Sequence, residues 1–367
     1  MPLQAFIFLS VVALIFFGEH LFVYNTIVRF LAVTDSWALL TLRLLFIMFP
    51  KVFLFTSVAS FRYNNILTRS LYTVSASWIG FAYFFLGASL SLWIGYGVAK
   101  LVHTPFNAAV IGSILFGVAI VLGIYGLINA ATPTVTHITI PIKNLPQQWK
   151  GRTAVWVSDI HLGEVRNLAF AEKVAKLVQD QHADAIFIGG DLYDGSAVDL
   201  DGVIRPFARL TAPRGVYFIS GNHEEFSPDM KFIDAVARTG ITVLNNTIVV
   251  KDGLQIIGVD YDRSIKPDML SATLAKIDPT MPAILLKHVP NNINIVEQFP
   301  IQLEISGHTH DGQLWPLGYI SARAYHGFDK GLKKMNELAV YTSVGVGTWG
   351  PPLRVGNRPE IVVITFE

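Results

Sequence analysis

The segment "EISGHTHDGQLWP", residues 304–316, places two histidines one residue apart, with Gly307 before them and Asp311 after. If residues 303–306 close a strand, the pair sits where that strand runs out into a loop. In extended backbone, residues i and i+2 project to the same side, so His308 and His310 would aim at one point in space. A metal ion, a phosphate or a substrate proton could occupy that point. The segment by itself does not choose among them.

Four further segments have the same form: "TAVWVSDIHLG", "DAIFIGGDLYDG", "GVYFISGNHEEF" and "PAILLKHVPNN". Each is a short apolar run that ends in a polar cluster. The ends carry Asp159 and His161, then Asp191, then Asn222 and His223, then His288. A lone Asp after a strand is ordinarily a turn or cap residue, and a lone His is ordinarily a polar surface group. Five such loops together are not explained by turn chemistry and point to metal. The chain has no cysteine, so the ligands must be N and O donors, which suit Mn, Fe, Zn or Mg. Two ions about 3.5–4 Å apart need a ligand that bridges them, and a carboxylate can give one oxygen to each. Asp191, preceded by Gly189 and Gly190 that let backbones approach closely, is the natural bridge.

The elements that must position these loops alternate. "VTHITI" alternates like a strand, and residues 168–181 read as a helix. Ala171, Val174, Ala175 and Val178 fall at i, i+3, i+4 and i+7, forming one apolar stripe. Strands alternating with helices argue an α/β layered fold whose sites collect at the carboxyl ends of strands.

This polar region is joined to a different kind of polypeptide. The chain is 52% hydrophobic with a mean hydropathy of +0.46. Residues 1–150 carry eight Lys/Arg and two Asp/Glu, leaving 28 − 8 = 20 and 27 − 2 = 25 for residues 151–367. The sums, +6 and −5, give the net +1. The boundary is expected near residue 132, with a transmembrane helical domain over 1–132 and a catalytic domain over 133–367. About 20 apolar residues span a bilayer, and uncharged runs predict spans near 3–23, 71–97 and 107–131. A fourth is predicted near 36–61, interrupted by Arg43, Pro50 and Lys51; the competing reading of that stretch is a buried or interfacial helix. Arg43 and Lys51 could pair with Glu19, snorkel to the surface, or face an anionic headgroup. Residues 1–18 lack a basic start and a small-residue cleavage site, so they read as a retained anchor. With four spans, Arg62, Arg69, Lys143, Lys150 and Arg152 share one side, against Arg29 and Lys100 on the other. That bias places the polar domain in the cytoplasm.

In order along the chain, "DIHLG", "GGDLYDG", "GNHE", "KHVP" and "SGHTHDGQ" resemble the blocks of the calcineurin-like metallophosphoesterase superfamily. The stretch "GVGTWGPPLRVGNRPEI" and the membrane anchor resemble its YkuE-type, membrane-associated branch, and the match spans roughly residues 135–367. The resemblance implies an α/β (α+β) four-layer β-sandwich of mixed sheets flanked by helices, in place of an open doubly wound sheet, preceded by a bundle of about four transmembrane helices. It implies two divalent metal ions, with Mn favoured. By position, Asp159, His161, Asp191 and His310 resemble the ligands of the first ion. Asp191, Asn222, His288 and His308 resemble those of the second, so that His308 and His310 each serve a different ion. His223 matches the histidine that is not a ligand but assists the leaving group. Where relatives commonly have glycine after the second histidine this chain has Asp311, which could orient a ligand histidine or trim the substrate space. Arg354 and Arg358 could grip a phosphate or pair with local acids.

The implied reaction is hydrolysis of a phosphate ester or pyrophosphate bond at the inner membrane of a bacterium, in a multi-pass protein. The expected partners are membrane lipids and a phosphorylated, lipid-linked substrate such as UDP-2,3-diacylglucosamine or a phospholipid; no nucleic acid is expected. Trp315, Pro316, Leu317, Tyr319, Trp349, Pro351, Pro352 and Leu353 could line a rim for an acyl chain or belong to the core. The alternatives are a hydrolase of a soluble (cyclic) nucleotide within a membrane-linked signalling protein, and a non-catalytic membrane scaffold. The completeness of the ligand set argues against the scaffold. Sequence leaves the oligomeric state open.

Overall fold

The computed structural model describes residues 3–195, 199–226 and 230–367. The chain forms two compact units, one of residues 1–128 with Gly350–Leu353, the other of Asn129–Trp349 with Arg354–Glu367.

The first unit is helical: α1 (Leu3–Phe30), α2 (Ser36–Ala59), α3 (Ile66–Leu101) and α4 (Ala108–Ala130). The starts of α2 and α3 follow from the caps. Asp35 Oδ1 accepts from Ala38 N at 2.8 Å, and Asn65 and Thr68 form a capping box at the head of α3. Among the described residues three helices, α2, α3 and α4, are long and apolar enough to cross a membrane. The expected span near 3–23 falls on α1, and the side chains of its first ten residues lie outside those described, so the count is three where about four were expected. α2 runs unbroken through Pro50, which answers the expectation of an interrupted segment. Arg43 does not pair with Glu19; its Nε donates to the Tyr24 hydroxyl at 2.9 Å.

The second unit is built on two six-stranded sheets. In chain order β1 (Thr134–Ile140), β2 (Thr153–Val157), β3 (Ala185–Ile188), β4 (Val216–Phe218) and β5 (Thr242–Val243) belong to the first. The second holds β6 (Thr247–Lys251), β7 (Leu254–Val259), β8 (Ala283–Lys287), β9 (Leu303–Ser306), β10 (Gly331–Met335) and β11 (Leu338–Thr342). The last strand, β12 (Glu360–Phe366), returns to the first sheet between β1 and β2, giving the orders β1-β12-β2-β3-β4-β5 and β10-β11-β9-β8-β7-β6. β2 through β5 pair in parallel, as do β7, β8, β9 and β11, while β12 runs antiparallel to β2.

The period of two along a strand decides the layers. Trp156, Phe187 and Tyr217 are register partners on β2, β3 and β4, and all three face the second sheet. There they meet Ile256, Ile284, Leu286, Leu303 and Ile305 in one buried core. The alternate residues Val155, Val157, Ile186 and Ile188 face outward and are covered by α5 (Leu168–Gln179) through Ala171, Val174, Ala175 and Val178. On the far face of the second sheet, Ile257, Leu285 and Val340 pack on Leu270, Leu274, Ile293 and Val296 of two short helices. The unit is therefore helix, sheet, sheet, helix, the four-layer α/β sandwich expected.

Candidate metal centre

The site residues follow the carboxyl ends of β2, β3, β4, β8 and β9, and backbone hydrogen bonds tie these loops together. Asp159 N donates to Gly190 O at 3.0 Å, His161 N to Asp191 O at 3.0 Å, and Gly307 N to His288 O at 2.8 Å. Carboxylates add to the stitching. Asp159 accepts from His308 N at 3.0 and 3.1 Å. Buried Glu224 accepts from the N–H groups of Asp191, Tyr193 and Gly221 at 2.9, 3.1 and 2.8 Å.

The loops are not extended. Asp159, His161, Asp191, His308 and His310 all have left-handed backbone, with φ of 57°, 53°, 51°, 70° and 48°. The extended reading of His308 and His310 is therefore corrected: they do not converge on one point. His308 Nδ1 lies 3.3 Å from His288 Nε2, and His310 Nε2 lies 3.1 Å from His161 Nε2. Close approach at Gly190 explains one of the glycines. With φ 86°, it packs so tightly that an added Cβ would sit 2.5 Å from Gly221 N.

Three groups of donors result: Asp159 with His161 and His310, His161 with Asp191 and His223, and Asp191 with His288 and His308. Asp191 Oδ2 stands between the outer groups, 3.9 Å from His161 Nε2 and 3.2 Å from His288 Nε2. His288 Nδ1 is 2.7 Å from Gly189 O and His223 Nδ1 is 2.8 Å from Asp194 O, contacts that suit Nδ1–H, and His288 turns its Nε2 to Asp191 Oδ2 at 3.2 Å. Asn222 opens the short helix Asn222–Glu225, and its Oδ1 is buried with no hydrogen-bond partner.

Electrostatics fits a cation site. Burial pushes the His161 imidazole down to about 3. Burial, then the neighbouring His288, brings His308 to about 4. Burial, then the Arg354 guanidinium, holds His310 well below its ordinary value. At pH 7 these rings are neutral. His288 behaves oppositely: burial resists its charge, but the Asp191 carboxylate overcomes that and raises it to about 10. The unpartnered Asn222 oxygen and facing neutral nitrogens at 3.1 Å are a donor set that a divalent cation would satisfy.

Several residues play parts the sequence did not disclose. Arg354 forms no ion pair with an acid among the described residues. It is fully buried, with its N–H groups directed to Val344 O, Gly347 O and Asn357 Oδ1, and its Nη2 is 2.9 Å from His310 Nδ1. Arg358 is exposed. Asp311 does not orient a histidine; its Oδ2 accepts from Lys330 Nζ at 2.9 Å. It lines a cavity of 470 Å³ with Trp315, Tyr319, Lys330, Lys333 and Asn357. Trp315 and Tyr319 are exposed, whereas Pro352 and Leu353 are buried. Glu224 could have been suspected, since an acid directly after "GNH" has its own loop and the loop after β3 within reach.

A two-sheet sandwich that gathers aspartates and histidines at its strand ends defines an α/β fold with a candidate metal site. Residues 153–312 match the calcineurin-like phosphoesterase family. A zebrafish (Danio rerio) transmembrane protein with metallophosphoesterase domain is 32% identical over 268 residues, covering 67% of this chain and 60% of that protein. An uncharacterized metallophosphoesterase of Aquifex aeolicus is 31% identical, covering 68% of this chain and 98% of the relative. The uncharacterized metallophosphoesterase YkuE of Bacillus subtilis is 27% identical, with 73% and 98% covered. The chain belongs to the calcineurin-like metallophosphoesterase family. It spans about three fifths of the length of the zebrafish and bovine relatives it matches. Family and donor set together imply divalent metal ions, and the three apolar helices agree with a membrane protein.

Gly307 supplies a test of the geometry. A Cβ there would lie 2.4 Å from Asp159 Oδ2 and 2.5 Å from Ser158 Oγ. Gly307→Ala should displace Asp159 from the His308 amide, lower the thermal midpoint and weaken metal binding about tenfold or more. A thermal melt and a metal titration check it; wild-type values in both would show that the loop has slack.

Proposed function

We propose that this chain is a membrane-anchored phosphohydrolase that uses two divalent metal ions, manganese favoured, to cleave a phosphate ester or pyrophosphate bond. The observation that carries the reading is the place of Asp191 Oδ2 between two donor groups, 3.9 Å from His161 and 3.2 Å from His288. Asp159, His161, Asp191 and His310 would hold one ion. Asp191, Asn222, His288 and His308 would hold the other, with the unpartnered Asn222 oxygen as the neutral ligand. When bound, the ions supply a more acidic water near neutral pH and positive charge to offset the phosphoryl oxygens. His223 keeps Nδ1 against Asp194 O, so that, as the imidazolium, it would give the Nε2 proton to the departing oxygen and return to the neutral Nδ1–H ring.

For the substrate we infer an amphipathic molecule, with UDP-2,3-diacylglucosamine as the leading candidate and a place in lipid metabolism. The support is the 470 Å³ cavity lined by Asp311, the residue after His310, with exposed Trp315 and Tyr319 and the cations Lys330 and Lys333 on its walls. Four spans, the bacterial inner membrane and a cytoplasmic catalytic unit complete the proposal, the last resting on the five-to-two Lys/Arg bias.

Asp191→Asn should lower turnover by more than about 100-fold while leaving the protein folded and in the membrane. Chelation should silence the wild type and Mn²⁺ should restore it. Full turnover by Asp191→Asn in metal-free buffer would sink the two-ion reading. For the substrate, acylated and deacylated forms of one phosphodiester are compared in detergent, and the acylated form should show the higher kcat/KM. Equal values would mean the chains add no transition-state binding. For topology, an alkaline phosphatase fused after residue 367 should be inactive; periplasmic activity would reverse the orientation.

A further inference from the structure

We propose that Asn129, in the last turn of α4, is a positioning residue for the metal centre and acts on His310 through Arg354 and Asn357. The inference rests on the reading of His310 as a metal ligand, and extends it to residues that touch no ion. His310 needs restraint: its left-handed backbone, φ 48°, is one that a residue with a Cβ holds only when its surroundings impose it.

Two residues impose it. Arg354 Nη2 lies 2.9 Å from His310 Nδ1, and Asn357 Nδ2 donates to the His310 carbonyl at 3.1 Å. They also hold each other, Arg354 Nη1 donating to Asn357 Oδ1 at 2.9 Å. One group fixes the backbone of both. The Asn129 amide nitrogen donates to Arg354 O at 3.0 Å and to Asn357 O at 2.7 Å. An amide NH₂ has two hydrogens, and here both are committed to the two residues that grip His310. Asn129 is buried, so water offers these carbonyls little replacement when the amide is removed.

The end of α4 has other anchors that do not lead to His310. Arg166 Nη2 donates to Ala130 O at 2.9 Å, and Lys173 Nζ to Ala131 O at 2.6 Å. These separate a specific relay from general attachment of the segment. Loss of a residue that orients a ligand typically weakens metal binding about 10–100-fold, because a histidine nitrogen must sit within a few tenths of an ångström of its bonding position.

The test uses the full-length protein in detergent, with Asn129→Ala, and Lys173→Ala as the control. Hydrogen exchange over residues 306–313 is measured after chelation, followed by Mn²⁺ titration and steady-state kinetics. Asn129→Ala should speed exchange over that segment, raise the Mn²⁺ dissociation constant about 10–100-fold and lower kcat more than it changes KM. Lys173→Ala should match the wild type throughout. Wild-type exchange and Mn²⁺ affinity in Asn129→Ala would overturn the proposal, as would equal changes in Lys173→Ala. If the wild type binds no Mn²⁺, faster exchange in Asn129→Ala alone still supports the positioning role while the two-ion reading fails. Should Asn129→Ala not fold, Asn129→Asp, of the same shape with no N–H to give, is judged by the same outcomes.

Discussion

Two pairs of imidazoles face each other nitrogen to nitrogen, His161 with His310 at 3.1 Å and His288 with His308 at 3.3 Å. The rest of the second unit is arranged around holding those contacts in place. Burial keeps His161, His308 and His310 neutral. Because an Arg354 N–H faces His310 Nδ1, the neutral ring carries its proton on Nε2, toward His161. A divalent cation there would take that proton's place and use both nitrogens as ligands. In the second pair Asp191 draws a proton onto His288. A metal ion taking that place must displace the proton, so its affinity there is tied to pH.

Holding such a set demands rigid supports. Five site residues with side chains adopt left-handed backbone, and each such conformation costs on the order of 1–2 kcal/mol. The offset comes from the layers beneath. Trp156, Phe187 and Tyr217 sit in register across β2, β3 and β4, and their burial against the second sheet leaves the strand ends little freedom. Glu224 then acts as a clasp for three amides. Burial, and then the charge of Asp191, raise its carboxyl to about 7.

This division explains what could be read from the sequence. The strand ends, the apolar stripe of α5 and the identity of the polar residues were legible, because each is a local pattern of period two or 3.6. The pairing of His308 with His288, and of His310 with His161, was not. It depends on left-handed dihedrals, and nothing in a histidine's identity signals them. The path from Arg354 to His310 was equally hidden, since "PPLRVG" gives no sign that its cation turns inward. Asp311 was visible as a departure, but its partner Lys330 lies nineteen residues away, beyond any local rule. The helices were found by composition alone, which sets length and polarity but not a helix's ends; α3 runs over Ile66–Leu101 where 71–97 was expected.

A buried guanidinium beside a cation site looks electrostatically perverse, and the charge count resolves it. With the two divalent ions proposed, the Asp159 and Asp191 carboxylates would leave a net charge of about +2, with Asn222 adding none. That surplus suits a phosphate, and a further cation reinforces it. Burial brings Arg354 down to about 10, and Asp159 is the neighbour that most favours its charge, so it stays protonated at neutral pH. Lysine could not substitute. A point ammonium has three donors on a flexible stem, whereas the planar fork reaches Gly347, Val344 and Asn357 at once and still lies against His310. The geometry of the fork, more than its charge, ties the histidine to the chain's closing segment. Through Asn129, that segment is tied in turn to the end of the last apolar helix.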